Sequence, residues 1–228
     1  VTGKVLTGWQ SVDGKWFFFD PSRGGAAATG WVQPYGRQWY YLQDNGAMAT
    51  GWLRLGSSYY YLYPDSGVMA TGWVTIGGIV YLFEDNGVCS SSQMEMIFKA
   101  QSFWSPTSYL ILVNTSSNYV GVFSGSQGRW DLVYYWQCSS GASATPTVQG
   151  EFSIGIRGTY FNSGNARCWW FTQFYGNYLF HSVLYYPSGV LMDGRLGMNL
   201  SHGCVRLDID NAKWIYDNIP SQTKVYVY

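Results

Sequence analysis

A repeated Gly-Trp dipeptide constrains the fold of the first third of the chain more than any other feature. The four tryptophans of these dipeptides are Trp9, Trp31, Trp52 and Trp73. They follow one another at intervals of 22, 21 and 21 residues, and each repeat also carries an aromatic run and a turn-forming pair such as Asn45-Gly46. Because such pairs tolerate the positive φ of tight turns, each repeat predicts one β-hairpin and a loop. A lone hairpin is marginally stable in water, so we expect the hairpins to stack into a solenoid with an aromatic core.

The composition excludes several classes of protein. The 228 residues carry a net charge of zero, which gives no support for a nucleic-acid partner. No run of eighteen apolar residues occurs, so no membrane span is expected. The sequence opens directly in the repeats at residues 1–9 without a secretory signal peptide, and we therefore expect a mature or truncated fragment.

Both histidines of the chain lie close in sequence to one cysteine. His181 is followed twenty residues later by a Ser-His-Gly-Cys-Val-Arg segment at residues 201–206, which contains His202 and Cys204. A thiol needs a base to become a nucleophile near neutral pH, and imidazole is the side chain that titrates there. The pattern predicts a cysteine nucleophile site.

The periodicity after residue 102 predicts a mostly β domain. Strands are expected at 109–113, 119–123, 152–156 and 225–228. A helix is expected at 210–218 with Asp208 as its N-cap, and a short connecting helix at 93–102. The expected organisation is a β-hairpin solenoid at 1–88, a partly helical linker at 89–102 and a β-rich domain at 103–228.

Residues 3–88 resemble the choline-binding or cell-wall-binding repeats of Gram-positive surface proteins. The repeat junctions AMATGW (47–52) and VMATGW (68–73) carry the resemblance. It implies aromatic cages that attract the quaternary ammonium of choline by cation–π interaction, each completed by an aromatic of the next hairpin. The implied pairs are Trp9 with Trp16, Trp31 with Trp39, and Trp52 with Tyr59. A wall glycan as the ligand, or a spacer role, is the alternative.

Residues 103–228 resemble the YkuD-type L,D-transpeptidase catalytic domain. The family motif is a histidine, a spacer, and Ser-His-Gly-Cys followed by an apolar residue and Arg, which His181 and residues 201–206 match. The segment TPTVQGEF (145–152) and a closing helix and strand in 207–228 also agree. The spacer is longer than is typical and predicts an enlarged, glycine-rich loop at 185–200.

The resemblance implies a peptidoglycan L,D-transpeptidase that needs no cofactor and no metal. The Cys204 thiolate would attack the L–D bond of a tetrapeptide stem, D-Ala would leave, and a second stem's amine would take the acyl group in a 3-3 cross-link. His181 would be the general base, oriented by the carbonyl of Ser182. The backbone N–H groups of Gly203 and Cys204 would stabilise the oxyanion. Carbapenems would acylate the same cysteine.

Three further residues of the motif are assigned less directly. His202 either assists the chemistry or shapes the turn. Ser201 and Arg206 are expected to contact substrate, with Arg206 gripping a carboxylate or supporting the thiolate. A structural ion pair of Arg206, with Asp208 or Asp193, is the alternative.

Other functions fit parts of the same pattern. Hydrolysis instead of transfer would make the protein an L,D-carboxypeptidase, and a decayed site would leave a wall-binding adhesin. His181, His202 and Cys204 could also be zinc ligands, but the close His-x-Cys spacing argues against this. The Ser-His-Gly-Cys turn favours the transpeptidase over a sortase-like enzyme, and a papain-like peptidase places its cysteine before its histidine.

The cysteines and the repeats give the last expectations. If Cys204 is the nucleophile, Cys138 and Cys168 are the pair expected to form a disulfide, and Cys89 is left over. The whole pattern predicts an exported, cell-wall-associated Gram-positive protein. Its partners would be peptidoglycan stem peptides and, through the repeats, teichoic-acid choline or wall glycan.

Overall fold

The computed structural model describes residues 6–228, and the start of the first repeat at residues 1–5 lies outside them. The chain divides into two compact units: the residues up to Val74 with Tyr81–Ser91, and Thr75–Val80 with Ser92–Tyr228. Strands make up 48% of the structure and helices 11%, which confirms the mostly β fold class. The expected linker at 89–102 contains a short strand, which pairs within the first unit, and a helix.

The four Gly-Trp repeats form four hairpins, as predicted. Their strands are β1 (Gly8–Val12), β2 (Lys15–Asp20), β3 (Ala26–Ala27), β4 (Gly30–Val32), β5 (Tyr40–Leu42), β6 (Gly51–Leu55), β7 (Ser58–Leu62), β8 (Gly72–Ile76), β9 (Ile79–Phe83) and β10 (Cys89–Ser90). The hairpins are β1–β2, β4–β5, β6–β7 and β8–β9. The opening glycine of each hairpin has a φ between 71° and 78°, which an L side chain rarely adopts and which explains why glycine precedes every repeat tryptophan.

The second and third hairpins have the same strand pairing. The segment that follows a hairpin connects it to the preceding hairpin by backbone hydrogen bonds. The opening glycines Gly30 and Gly51 pair with Leu42 and Leu62, which are both fully buried. After each hairpin the chain returns to the preceding one: the N–H of Met48 donates to the carbonyl of Trp16. These bonds and the buried leucines stack the repeats, which is how marginal hairpins become stable together.

The second unit contains two helices and two larger sheets. The helices are α1 (Ser91–Ser102) and α2 (Ile209–Asn218). The strands are β11 (Tyr109–Asn114), β12 (Tyr119–Ser126), β13 (Arg129–Gln137), β14 (Gly150–Ser153), β15 (Arg157–Ser163), β16 (Ala166–Tyr175), β17 (Tyr178–Ser182), β18 (Leu184–Tyr185), β19 (Leu191–Asp193), β20 (Val205–Leu207) and β21 (Lys224–Val227). One sheet has the order β13-β12-β11-β21-β14, and the other has the order β19-β18-β16-β17-β20 with β15 paired to β16.

The elements expected in this unit are present with one correction. The side chain of Asp208 caps α2 by accepting from the N–H of Asp210 at 3.0 Å, as predicted. The strand expected at 152–156 is wrong beyond Ser153. The N–H of Ile154 donates to Thr223 and that of Gly155 donates to Gln173, so here the chain leaves the first sheet for the second.

A hydrophobic core draws on both sheets and on α2. It includes Val122 and Val225 of the first sheet, Phe180 and Val205 of the second, and Ile215 of α2. The side chains of Phe180 and Val205 are paired across the parallel strands β17 and β20 and have no exposed surface. The core therefore fixes the two strands that carry the predicted catalytic residues.

Candidate active site

The alternation of side chains along β17 and β20 places the predicted catalytic residues on one face. Phe180 and Val205 point into the core, so their neighbours His181, Cys204 and Arg206 point to the opposite face. The parallel register pairs His181 with Arg206. Two short strands thus bring together residues that are more than twenty positions apart in sequence.

These residues line a cavity of about 250 Å³. Five of its lining residues were predicted from the sequence: His181, Ser201, His202, Cys204 and Arg206. Seven further lining residues were not predicted to belong to the site: Phe161, Ser163, Asn165, Ala166, Cys168, Leu184 and Met192. They come from the β15–β16 hairpin, from the start of β18 and from the loop expected at 185–200.

His181 has the geometry of a neutral base. Its Nδ1 lies 2.6 Å from the carbonyl oxygen of Ser182, the contact that was expected to orient it. Because a carbonyl only accepts, Nδ1 carries the proton and the lone pair is on Nε2. Burial lowers the pKa of His181 to about 4, the Ser182 contact opposes this, and the charge of Arg206 lowers it further. The imidazole is therefore uncharged at neutral pH.

Cys204 is half-buried and holds a neutral thiol. Burial raises the pKa of this thiol, while a backbone hydrogen bond from Leu179 and the charge of Arg206 oppose the effect. The thiol donates to the carbonyl of Asn177 at 3.4 Å, in the turn between β16 and β17. Transfer of the proton to His181 therefore requires the thiol to turn away from that carbonyl.

The turn before Cys204 depends on Ser201 and Gly203. The Ser201 hydroxyl donates to the carbonyl of Cys204 and accepts from the N–H of Gly203 at 3.0 Å. Gly203 has a φ of 114°, and a Cβ there would lie 2.8 Å from the ring of Tyr178, so only glycine fits.

Two expectations for this turn need correction. Because Ser201 already accepts the N–H of Gly203, that N–H is not free for an oxyanion, and of the two expected donors only the N–H of Cys204 stays a candidate. The Ser201 hydroxyl is used by the turn, although the residue lines the cavity as expected. His202 is exposed at the cavity rim, which fits either of its expected roles.

Arg206 is buried, with 8% of the residue exposed. Its Nη1 lies 3.7 Å from Asp193 Oδ2, so its ion pair is with Asp193 and not with Asp208, which caps α2. Its Nε is buried and has no hydrogen-bond partner. Asp193 ends β19, which shows that the predicted enlarged loop folds back beside the site.

The expected disulfide between Cys138 and Cys168 is wrong. None of the four cysteines, all within residues 6–228, forms a disulfide. Cys138 follows β13 of one sheet and packs in the core, whereas Cys168 lies in β16 of the other sheet and lines the cavity. Burial raises the pKa of Cys168 to about 12, so this second thiol of the cavity is not ionised near neutral pH.

One of the three expected aromatic pairs lines a cavity in the repeats. Trp31 and Trp39 line a cavity of about 290 Å³ together with Tyr60, Met69 and Asn86. Tyr60 belongs to the next hairpin, and its ring centroid lies 4.9 Å from that of Trp31. Three of these five lining residues are aromatic, and a quaternary ammonium is attracted to aromatic ring faces.

The other two expected pairs differ from this one. Trp9 and Trp52 do have an aromatic of the next hairpin at 5.0 Å, namely Tyr40 and Tyr81. Trp16, however, lines a separate, polar cavity. Tyr59 lies under the guanidinium of Arg54, 5.5 Å from its ring centroid.

Within residues 6–228, no three His, Cys, Asp or Glu side chains are grouped so that they could hold a metal ion. Over the same residues, no helix is long and apolar enough to cross a membrane.

A family model of the L,D-transpeptidase catalytic domain matches residues 108–227, which is more than half of the chain. The chain therefore belongs to the L,D-transpeptidase family. A model of the choline-binding repeat matches residues 28–71, and a model of the cell wall binding repeat matches residues 7–22 and 71–89. The catalytic and repeat families expected from the sequence are both confirmed.

Individual proteins are similar to parts of this L,D-transpeptidase chain. A Bacillus subtilis (strain 168) protein named as an L,D-transpeptidase, YciB, is 37% identical over 108 residues, or 42% of this chain. The chain spans about half, 56%, of that relative's length. The crystal structure of a fused Zn-dependent amidase/peptidase/peptidoglycan-binding domain-containing protein from Clostridium acetobutylicum ATCC 824 is 33% identical, with a TM-score of 0.50; the match covers 62% of this chain and 76% of that one. The choline binding domain of Spr1274 from Streptococcus pneumoniae is 39% identical with a TM-score of 0.31, over 36% of this chain and 93% of that one.

Proposed function

We propose that this protein is an exported peptidoglycan L,D-transpeptidase that the repeats hold on the cell wall and in which Cys204 is the nucleophile. The observation that carries the proposal is the shared cavity of Cys204 and His181. His181 is neutral, its Nδ1 proton is held by Ser182, and its Nε2 lone pair is free to take a proton. A thiol and a neutral imidazole in one cavity are the parts that nucleophilic acyl transfer requires.

The reaction proceeds in two halves. His181 Nε2 takes the thiol proton, and the Cys204 thiolate attacks the carbonyl of the third stem residue. The N–H of Cys204 stabilises the oxyanion. The C–N bond breaks, the leaving D-Ala amine takes the proton from the imidazolium, and a thioester remains. The amine of a second stem then attacks the thioester, which forms a new amide bond and restores the thiol.

The repeats supply the attachment. The cavity of Trp31, Trp39 and Tyr60 presents ring faces to a trimethylammonium group such as that of teichoic-acid choline. Attachment to the wall raises the local concentration of stem peptides, so a weak affinity of the active site for each stem is sufficient.

Intact-protein mass spectrometry tests the catalytic proposal. The protein is incubated with a carbapenem and, separately, with a disaccharide-tetrapeptide. We expect one covalent adduct, lost in Cys204→Ala and kept in Cys89→Ala, a matched substitution in the repeats. Dimers from the tetrapeptide indicate transfer.

Each other result favours a named alternative. Tripeptide without dimers means that water is the acceptor and the protein is an L,D-carboxypeptidase. The absence of both an adduct and turnover in the parent protein would leave a wall-binding adhesin.

A further inference from the structure

Three charged side chains form a cluster at the wall of the catalytic cavity. Arg206 points into the cavity, Asp193 lies beside it, and Arg195 lies on the far side of Asp193. Only Arg206 belongs to the motif that identified the site. Asp193 and Arg195 come from the enlarged loop, for which the sequence predicted no function.

The buried guanidinium of Arg206 is neutralised without being hydrogen-bonded. Its approach to Asp193 is 3.7 Å, too long for a hydrogen bond, and its Nε has no partner. A buried charge is costly unless it is both paired and hydrogen-bonded. Arg206 therefore lines the cavity with a guanidinium whose donors lack an acceptor, which a ligand bound there would supply.

Contacts with Arg195 explain why Asp193 does not hydrogen-bond to Arg206. Its Nε and Nη2 donate to the two oxygens of Asp193 at 2.9 and 3.0 Å, and its backbone N–H donates to Oδ1 at 3.1 Å. The carboxylate is thus held on the Arg195 side and does not close the last gap to Arg206.

Ser139 fixes the spacing of the two arginines. Its backbone exchanges hydrogen bonds of 2.9 and 2.8 Å with Arg206, and its hydroxyl donates to the carbonyl of Arg195 at 3.1 Å. One residue therefore anchors the backbone of both arginines, while the side chain of Arg195 holds the Asp193 carboxylate.

The charge of the cluster indicates which ligand completes it. Two arginines and one aspartate give a net charge of +1, while His181 and Cys204 are neutral at rest. One carboxylate would neutralise the cluster, and a guanidinium fork matches a carboxylate in geometry. A stem peptide carries such free carboxylates.

We propose that Arg195 holds Asp193 away from Arg206 and so keeps Arg206 open for a free carboxylate of the donor stem peptide. Asp193 and Arg195 are positioning residues, and the inference rests on the proposed function. It makes the protein selective for donors with that carboxylate over the corresponding carboxamide.

The experiment measures KM and kcat for a synthetic tetrapeptide with diaminopimelate at position three, and for analogues in which each free carboxylate is replaced in turn by a carboxamide. The analogue with the raised KM identifies the carboxylate that Arg206 binds. The variants are Arg195→Gln, Asp193→Asn and the double variant. Glu151→Gln is the control, because Glu151 forms an ion pair with Lys224 outside the cavity.

In the parent protein we expect one carboxamide to raise KM about tenfold, the size of one charge-assisted hydrogen bond. Arg195→Gln should raise the KM of the unmodified donor about tenfold with little change in kcat, because Asp193 then closes onto Arg206. The double variant, in which Asp193→Asn is added to Arg195→Gln, should restore the low KM. Glu151→Gln should behave as the parent protein does.

Two results would overturn the inference: equal KM for every carboxamide in the parent protein, or an unchanged KM in Arg195→Gln. Dissociation constants for the same peptides, measured on Cys204→Ala with and without Arg195→Gln, separate this inference from the proposed function. If the parent protein lacks turnover but these constants follow the expected pattern, the carboxylate site stands and the proposed chemistry fails.

Discussion

The buried imidazole of His181 predicts a specific dependence of stability on pH. Its pKa is about 4 in the folded protein and 6.5 when exposed. Between these values the unfolded chain binds a proton that the folded state does not bind, so the free energy of unfolding decreases as the pH falls through this range. The gap between the two pKa values corresponds to about 3 kcal/mol, lost between pH 7 and pH 4. This is a large part of the stability of an ordinary domain.

The assay compares the parent protein with His181→Gln. Hydrogen–deuterium exchange of the β17 and β20 peptides, corrected for intrinsic rates, reports the opening free energy of the catalytic unit even if the repeats unfold separately. All other ionisable groups are common to both proteins and cancel in the difference. We expect the parent protein to lose about 3 kcal/mol more than the variant between pH 7 and pH 4.

The sign of the difference in opening free energy between the two proteins shows whether burial lowers the pKa of His181. Equal pH dependence in the two proteins would mean that His181 is not held neutral by burial. A parent protein that gains stability on acidification, relative to the variant, would mean that the pKa of His181 is raised. Either result would refute the assignment of His181 as a neutral base at rest.

Three more predictions follow from the site and the repeats. In a pH–rate profile, the acylation rate should stay high from about pH 5 upward and fall toward pH 4 as His181 becomes protonated. It should not decline below pH 8, because the pKa of the Cys204 thiol is raised. Gly203→Ala should abolish carbapenem acylation, measured by mass spectrometry, because the new Cβ meets a tyrosine ring and the φ is positive. Trp31→Ala should weaken choline binding about tenfold in calorimetry, while Trp73→Ala, at an exposed position outside the cage, should not.

The repeats were predictable because each hairpin depends on local signals. A glycine with positive φ opens every hairpin. Gly30 and Gly51 both supply this backbone conformation at the start of their repeats. The N-cap at Asp208 is a similar local signal. The candidate catalytic residues could be named because their motif is short and concentrates both histidines near one cysteine.

The rest of the site depends on contacts between distant segments. Phe161 and Cys168 line the cavity because β15 and β16 pair beside β17, and no residue near the motif indicates this pairing. The number of cysteines suggested a disulfide, but Cys138 and Cys168 lie in separate parts of the unit. The N–H of Gly203 was expected to bind an oxyanion, but it donates to the Ser201 hydroxyl two residues away.

The neutral catalytic pair and the charged cluster depend on one another in the proposed mechanism. The charge of Arg206 acts on both members of the pair, because it lowers the pKa of the Cys204 thiol and that of His181. Asp193 carries the opposite charge 3.7 Å from Arg206. When the thiolate attacks, negative charge develops two residues from the Arg206 cation, in a cavity where such interactions are stronger than in water. Burial therefore keeps the resting thiol neutral, and the field of Arg206 favours the charge that forms during acyl transfer.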